Sequence, residues 1–258
     1  MKNSELLDYL YENLERILAR LHSYALKGGY VMSNHYAKGF RKTVDIDMSI
    51  SSREDFLTIQ QELEPILNEL CNKGEIFSYK FKLPKVEGTK NVSGGVKLYR
   101  KPFSNNGVEE PKRVVSGIDI SIHDLSFGIS ELQNGLKVFS AERSIIDKVS
   151  VLYSDKKKIL RRVRDLYDLY LFSVLNTEID VNTIKTCLNY RSIDISSKTV
   201  FEDLLDDPEL TNAVNDMLNK DIRVEKEIFK GGILTVKDIF EEVLSVLDLL
   251  RKVILNVN

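Results

Sequence analysis

Two aspartates in one short segment are the residues of this sequence best suited to carry chemistry. Asp45 and Asp47 lie in segment 44–50, where apolar and polar residues alternate with the period of a β-strand. Successive side chains of a strand point to opposite faces, so both carboxylates should project from the same face. Adjacent carboxylates repel each other unless a cation lies between them, and hard oxygen ligands suit Mg²⁺. The pattern therefore predicts a metal-binding strand; the alternative is a solvated strand with two exposed acids.

A glycine pair upstream of the acids adds a second chemical feature. Gly28 and Gly29 are followed by a segment that reads as a short helix from 31 to 37, and then by the strand of Asp45. Backbone N–H groups at a glycine turn can bind an anion such as a triphosphate. An anion-binding turn, a short helix and a strand with two acids, in this order, favour a site for a nucleoside triphosphate with its metal ion.

These residues resemble the first motif of a known enzyme family. Leu26-Lys27-Gly28-Gly29, followed by Arg41-x-Thr43-x-Asp45-Ile46-Asp47, is similar to the opening motif of the AbiEii/AbiGii toxin nucleotidyltransferases. That family is of the polymerase-β type. Many of its members have Gly-Ser at the phosphate turn, whereas this chain has two glycines and no hydroxyl there. Ser33 is the candidate to supply the missing hydroxyl.

The second signature of the same family lies in the C-terminal half. It consists of a helical Lys, then Arg and Asp-x-x-Asp-Leu, and here it reads Ala141 to Lys148 and then Arg161 to Leu169, with Asp165 and Asp168 as its acids. The resemblance as a whole covers about residues 24–170. It implies that Lys148 contacts the triphosphate and that Asp165 orients Lys148 or another helical cation.

The resemblance also implies a nucleotide-binding set and a third carboxylate. The nucleotide-binding residues are Lys27, Gly28, Gly29, Ser33, Arg41 and Thr43. In polymerase-β-type sites a later strand supplies a further acid beside the first pair, and segment 116–122 offers Asp119, with the isoleucines of that segment on the opposite face. Asp119 is expected to act as a metal ligand or general base, and Asp124 is the alternative, unless it is a turn residue.

The activity implied by the resemblance is a Mg²⁺-dependent transfer of NMP from an NTP to an acceptor. Family members are toxins of bacterial toxin–antitoxin or phage abortive-infection systems, and the better-understood ones add nucleotides to the 3′ end of tRNA and stop translation. The expected partners are an NTP, an RNA acceptor such as tRNA, and a cognate antitoxin. Two alternatives stay open: transfer to a protein or small molecule, and a catalytically idle module that binds RNA or protein.

A cluster of cations bears on the acceptor. Lys156, Lys157, Lys158, Arg161, Arg162 and Arg164 place six cations within nine residues of a chain with a net charge of −2. Such a cluster is typical of a phosphate-binding surface. The alternative is a solvated helix face on which Arg161–Asp165 and Arg164–Asp168 form pairs at i,i+4 spacing.

Composition and periodicity predict an α+β fold in two parts. The first, 1–140, is expected to be a catalytic domain with a mixed β-sheet and helices, and the second, 141–258, an α-helical domain that carries Lys148, Asp165 and Asp168. With 43% hydrophobic and 29% charged residues, and no apolar run near the roughly 18–20 residues of a spanning helix, we expect no membrane segment. The N-terminus does not read as a signal peptide, and Cys71 and Cys187 lack metal-site spacing, so free thiols in a cytoplasmic protein are expected.

Several element boundaries are predicted closely enough to be tested. The leucine pattern predicts a first helix from about 4 to 23, and Ser51 with Glu54 predicts a capping box for the helix after the acidic strand. Strands are expected at 76–83, 95–99 and 113–122, and an Asn134-Gly135 hairpin turn after them. Helices are expected at 141–153, 157–175, 181–190, 199–205, 208–219 and 236–255.

Overall fold

Strands and helices of this chain follow one another in an α+β order, as the sequence predicts. The computed structural model describes residues 2–21, 23–38, 40, 43, 45–87, 90–100, 113–175, 177–221 and 234–255. Arg41, one of the predicted nucleotide-binding residues, lies outside these ranges. None of the helices in the described ranges is both long and apolar enough to cross a membrane.

The β-strands concentrate in the first half of the chain. They are β1 Tyr24–Lys27, β2 Asp45–Ile50, β3 Ser78–Lys82, β4 Lys85–Glu87, β5 Lys90–Val92, β6 Gly94–Arg100, β7 Arg113–Ile122, β8 Ile129–Glu131 and β9 Lys137–Phe139. Within the described residues, seven of them form one sheet in the order β3-β6-β7-β2-β1-β9-β8. The remaining two, β4 and β5, form a separate antiparallel hairpin that the sequence analysis did not predict.

The helices dominate the second half. They are α1 Asn3–Leu18, α2 Gly28–Val31, α3 Arg53–Asn72, α4 Ala141–Leu152, α5 Lys156–Arg161, α6 Val163–Val174, α7 Val181–Arg191, α8 Val200–Asp203, α9 Pro208–Asp221 and α10 Val236–Leu255. A π-helical turn, Met32–Tyr36, directly follows α2.

Two compact units can be distinguished by their internal packing. The first comprises 1–30 and 43–138, and the second comprises 31–42 and 139–258. Segment 31–42 is held within the second unit: the hydroxyl of Tyr36 donates to the carbonyl of Phe139 at 2.6 Å, and the hydroxyl of Tyr167 donates to the carbonyl of Phe40 at 3.1 Å.

The sheet of the first unit has one apolar and one polar face near its centre. On β2 the side chains of Ile46, Met48 and Ile50 are fully buried, and on β7 Ile118 and Ile120 are buried in the same way. Helices α1 and α3 pack against these strands. Because alternate residues point the other way, the acids of β2 and β7 lie on the face opposite the apolar core.

Three predicted helix boundaries were wrong, and the local backbone structure explains each error. Helix α1 ends at Leu18 instead of near 23. Beyond Leu18 the backbone forms i→i−3 hydrogen bonds of the 3₁₀ type, such as Leu21 N–H to Leu18 O, instead of α-helical ones. Ser52, not Ser51, caps α3: its hydroxyl accepts from the N–H of Asp55, whose own carboxylate it also contacts at 3.0 Å. The helix predicted at 157–175 breaks at Arg162, where the backbone leaves the helical region.

The other predicted elements agree with the structure to within a few residues, except the short helix predicted at 31–37: α2 already begins at Gly28, and a π-helical turn occupies Met32–Tyr36. The strand at 113–122 has the predicted bounds, and the Asn134-Gly135 turn connects β8 to β9 with Gly135 at a φ of +79°. Both cysteines are free thiols, as expected.

Candidate active site

Three carboxylates lie together on the polar face of the sheet in the first unit. Strands β2 and β7 run parallel, with Asp47 directly opposite Asp119 and Asp45 directly opposite Gly117. Residues that face each other in register on adjacent strands point to the same side. Asp45, Asp47 and Asp119 are each half-buried, so the strand pairing brings together the three acids that the sequence analysis selected.

A lysine outside the sequence motifs, Lys97, supplies the counter-charge. Lys97 on β6 is in register with Gly117, and its Nζ lies 2.9 Å from Asp119 Oδ1. Gly117 makes this possible, because a β-carbon there would lie 3.0 Å from the Lys97 side chain that passes over it. Burial acts to lower the pKa of the Lys97 ammonium, but its hydrogen bond to Asp119 and the charges of Asp119, Asp45 and Asp47 hold that pKa above its ordinary value.

The glycine turn lies against the second of these acids. Gly28 has a φ of +63°, and a β-carbon on it would come within 2.4 Å of Asp47 Oδ2. A residue with a side chain would therefore be strained in its backbone and would also displace the carboxylate. Gly28 thus lies in direct contact with the side chain of Asp47, although the two residues are far apart in the sequence.

Two further predicted residues support the acidic strand. Lys27, in register with Asp47 on the other side of β2, donates from its Nζ to Ser121 Oγ at 2.6 Å. Thr43 donates from its hydroxyl to the backbone carbonyl of Asp45 at 2.9 Å. Lys27 therefore places a cation beside the acids, whereas the Thr43 hydroxyl fixes the backbone at the start of β2.

Chemically, the three acids suit a divalent metal ion. Carboxylate oxygens are the ligands that Mg²⁺ prefers, and the acids already attract one cation, the Lys97 ammonium. In the part of the chain that the structure describes, no group of three or more Asp, Glu, His or Cys side chains is arranged to hold a metal ion. The fit to Mg²⁺ rests on the chemistry of the carboxylate donors, and Lys97 is the group with which the metal would compete.

Two other residues proposed for the site, Asp124 and Ser33, are not shown beside the three acids. Asp124, the alternative third acid, accepts the N–H of Ser126 at 2.9 Å and is exposed, so it is a turn residue. Ser33 is half-buried in the π-helical turn Met32–Tyr36 and belongs to the second unit.

In the second unit, Lys148 lies inside a buried ion-pair network. Its Nζ is 2.5 Å from Asp168 Oδ2 and 3.4 Å from Asp165 Oδ1. Arg162 approaches the other oxygen of Asp165 at 2.6 Å. Lys148 and Asp165 are each 5% exposed and Asp168 is fully buried. The predicted contact between Asp165 and Lys148 is present, and Asp168 is the nearer partner.

The cationic cluster at 156–164 is partly neutralised. Lys156 pairs with Asp207 at 2.6 Å and with Glu209 at 2.9 Å. Asp165 pairs with Arg162 rather than with the predicted Arg161, because the break between α5 and α6 changes the spacing. Lys157 and Lys158 are exposed and form no ion pair with another described residue.

Comparison with known proteins identifies relatives along most of the chain. A family model described as nucleotidyl transferase AbiEii toxin, type IV TA system, matches residues 14–245. No curated protein sequence matches the chain.

The chain also matches solved structures from a bacterium and a fungus. JHP933 from Helicobacter pylori is 13% identical, with a TM-score of 0.48 over 98% of this chain and 95% of that one. A nucleotidyltransferase from H. pylori is 14% identical, with a TM-score of 0.45 over 96% and 97% of the two chains. An antigenic nucleotidyltransferase-like protein from Paracoccidioides brasiliensis is 14% identical, with a TM-score of 0.34 over 93% and 97%.

Proposed function

Because this chain belongs to the AbiEii family of nucleotidyl transferase toxins, we propose that it transfers a nucleoside monophosphate from an NTP to the 3′ end of tRNA in a Mg²⁺-dependent reaction. An extended tRNA 3′ end cannot be aminoacylated normally, so translation would stop. The family also implies an antitoxin as a protein partner.

The observation that supports this proposal most strongly is the pairing of Asp47 with Asp119. Two acids in register on parallel strands, with Asp45 two residues away on the same face, form a concentrated negative site on a rigid sheet. Carboxylates this close together repel each other unless a cation lies near them, and the ion pair of Asp119 with the Lys97 ammonium is consistent with a site that binds cations. Gly28 lies against Asp47 and contributes no side chain there.

In the proposed mechanism, Asp45, Asp47 and Asp119 would hold Mg²⁺ through their carboxylate oxygens. When bound, Mg²⁺ neutralises the charge of the triphosphate and makes the α-phosphorus more electrophilic. Lys27 provides a further positive charge beside Asp47, and the backbone at Gly28 and Gly29 allows the phosphates to approach. These residues orient the substrate, and orientation with charge neutralisation supplies most of the rate enhancement.

The transfer itself is an in-line displacement at the α-phosphorus. The 3′ hydroxyl oxygen of the acceptor forms a bond to phosphorus, the bond to the β-phosphate oxygen breaks, and pyrophosphate leaves. We assign Asp119 a second role as the acceptor of the hydroxyl proton, through the carboxylate oxygen that the metal would leave free, because it lies on the side of the acids away from the glycine turn. The predicted contact of Lys148 with the triphosphate remains part of this proposal.

Incubation of the protein with each α-labelled NTP, total tRNA and Mg²⁺ tests the proposal. We expect label in tRNA from the wild type and none from Asp45→Ala or Asp47→Ala variants, or when EDTA replaces Mg²⁺. Label in a protein or small molecule instead would reject the RNA acceptor, and no transfer to any acceptor would indicate a catalytically idle module.

A further inference from the structure

Two lysines that no motif contains lie at the edge of the sheet, on the same face as the acids. In β3 the aromatic residues Tyr79 and Phe81 alternate with Lys80 and Lys82. The aromatic residues face α3, where Phe81 packs edge-on against Phe56 and the Tyr79 hydroxyl donates to Asn68. Lys80 and Lys82 therefore point to the opposite, polar face.

The strand register connects these lysines to the acids. Lys82 is in register with Gly95, and Gly95 with Asp119, which in turn faces Asp47. Lys80 is in register with Lys97, which in turn faces Gly117. Side chains in one such row share a face, so Lys80, Lys82 and Lys97 line the approach to Asp119 from the β3 edge.

A cleft of about 320 Å³ lies at this position. Its lining, which we call the lysine cleft, comprises Lys80, Lys82, Ser93, Gly94, Gly95, Lys97, Tyr99 and Asp119. Lys97 is paired with Asp119, whereas Lys80 and Lys82 are exposed and form no ion pair with another residue in the described ranges. Gly94 and Gly95 add no side chain to the cleft, and a β-carbon on either would meet backbone atoms, Pro84 N at 2.2 Å and Ile118 O at 1.9 Å.

The chemistry of the lysine cleft suits a nucleic-acid strand. Unpaired lysine ammonium groups attract phosphates. Tyr99 is in register with Ser78, so its ring lies on the same face and is half-buried at the end of the cleft. An aromatic ring beside cations is the combination that binds single strands, because every base can stack on the ring while the cations follow the backbone.

The position of the lysine cleft distinguishes the acceptor from the triphosphate. The glycine turn adjoins Asp47 from the β1 side of the acids, whereas the lysine cleft adjoins Asp119 from the β6 and β3 side. In an in-line displacement the attacking and leaving oxygens lie on opposite sides of the phosphorus. If the leaving pyrophosphate is held at the glycine turn, the attacking hydroxyl must come from the side of the lysine cleft.

We propose that the lysine cleft binds the single-stranded 3′ end of the acceptor RNA, with Lys80 and Lys82 on its terminal phosphodiesters and Tyr99 against a base. This inference rests on the proposed function, since it assigns the acceptor side of the same site. It also separates acceptor binding from the cationic cluster at 156–164, in which Lys156 is already neutralised.

The test compares RNA affinity in two double variants that remove the same charge. Lys80→Ala with Lys82→Ala should weaken binding of tRNA by about tenfold or more and flatten the dependence of log Kd on log salt, by roughly 0.7 for each phosphate that the protein no longer neutralises. NTP affinity measured by calorimetry should be unchanged. Lys157→Ala with Lys158→Ala is the matched control, because these lysines are also exposed and unpaired among the described residues; it should keep the wild-type slope.

The possible outcomes separate this inference from the proposed function. A wild type that labels tRNA, together with a Lys80/Lys82 variant of unchanged RNA affinity and slope, would overturn the lysine cleft alone. Equal losses in both double variants would show a general charge effect and would also overturn it, and loss of NTP affinity in the Lys80/Lys82 variant would assign the cleft to the triphosphate. A wild type that neither labels nor binds RNA would reject the proposed function and the lysine cleft together.

Discussion

Gly28 and Asp47 are so close that a β-carbon added to Gly28 would come within 2.4 Å of Asp47 Oδ2. Contact of this kind leaves no room for any side chain, and the φ of +63° at Gly28 independently favours glycine. The glycine turn therefore packs directly against the strand that carries Asp47, and a side chain added at Gly28 must displace the Asp47 carboxylate.

Replacing Gly28 with Ala should abolish nucleotide transfer because the new methyl group displaces Asp47. The backbone strain should also lower the free energy of unfolding by about 1–2 kcal/mol. Gly74→Ala is a matched control: Gly74 has a φ of +72°, but a β-carbon there meets no atom within 4 Å. Chemical denaturation should show a loss in both variants, larger for Gly28→Ala because of its additional clash with Asp47, whereas only Gly28→Ala should lose activity. Equal activities would remove Gly28 from the site.

Replacing Lys97 with Met should destabilise the metal-free protein and enhance its response to Mg²⁺. Asp119 then loses its ammonium partner, and because the ion pair is partly exposed we expect the free energy of unfolding in EDTA to fall by roughly 0.5–1 kcal/mol. Added Mg²⁺ should raise the melting temperature of this variant more than that of the wild type, since the metal no longer displaces a cation.

Lys73→Met provides the control for this comparison, because Lys73 pairs with Glu69 on the exposed surface of α3. Its response to Mg²⁺ should match the wild type. If Lys97→Met responds to Mg²⁺ no more strongly than the wild type, Lys97 does not compete with the metal.

Replacing Lys148 with Met should destabilise the protein, and a second substitution then distinguishes a catalytic role of Lys148 from a structural one. Removal of the ammonium leaves the fully buried Asp168 without its closest cation, at a cost of about 3–5 kcal/mol in unfolding free energy. Adding Asp168→Asn should recover much of that loss, because the buried charge is also removed. If Lys148 acts on the triphosphate, the double variant should be folded but inactive; recovered turnover would make the lysine purely structural.

The helical unit should lose stability in acid through Glu202. The pKa of Glu202 is lowered to about 2, first by its hydrogen bonds with Arg251 and then by those with Thr199. A carboxylate with a lowered pKa contributes stability above the unfolded-state pKa of about 4.3, and that contribution is lost as pH falls from about 5 through 2. Between pH 7 and pH 3 the wild type should therefore lose on the order of 2 kcal/mol more than Glu202→Gln in urea denaturation. Parallel pH profiles would contradict this linkage.

The sequence predicts the acids of the candidate site well because they depend on local periodicity. Alternation alone places Asp45 and Asp47 on the face opposite Ile46 and Met48, and the isoleucines of β7 do the same for Asp119. The pairing of Asp47 with Asp119 was expected only from family resemblance, since no local pattern specifies which strands become neighbours.

The residues that the sequence did not reveal depend on long-range register. Lys97 belongs to no motif, and only the pairing of β6 with β7, together with the missing side chain of Gly117, brings its ammonium to Asp119. The same holds for Lys80 and Lys82, whose alternation with aromatic residues was visible but whose distance from the acids was not. The break at Arg162 was missed because the helical pattern continues through it without Gly or Pro.

The most direct test of the central claim is the rate of labelled-nucleotide transfer to tRNA in three isosteric variants, Asp47→Asn, Asp119→Asn and Asp124→Asn. Each variant removes one negative charge, and Asp124 is the control because its side chain accepts a backbone hydrogen bond in a turn, which Asn can also do. The account predicts that Asp47→Asn and Asp119→Asn lose at least about 100-fold in rate, while Asp124→Asn keeps wild-type activity. Near-normal transfer by Asp47→Asn or Asp119→Asn would contradict the assignment of these acids as the catalytic centre.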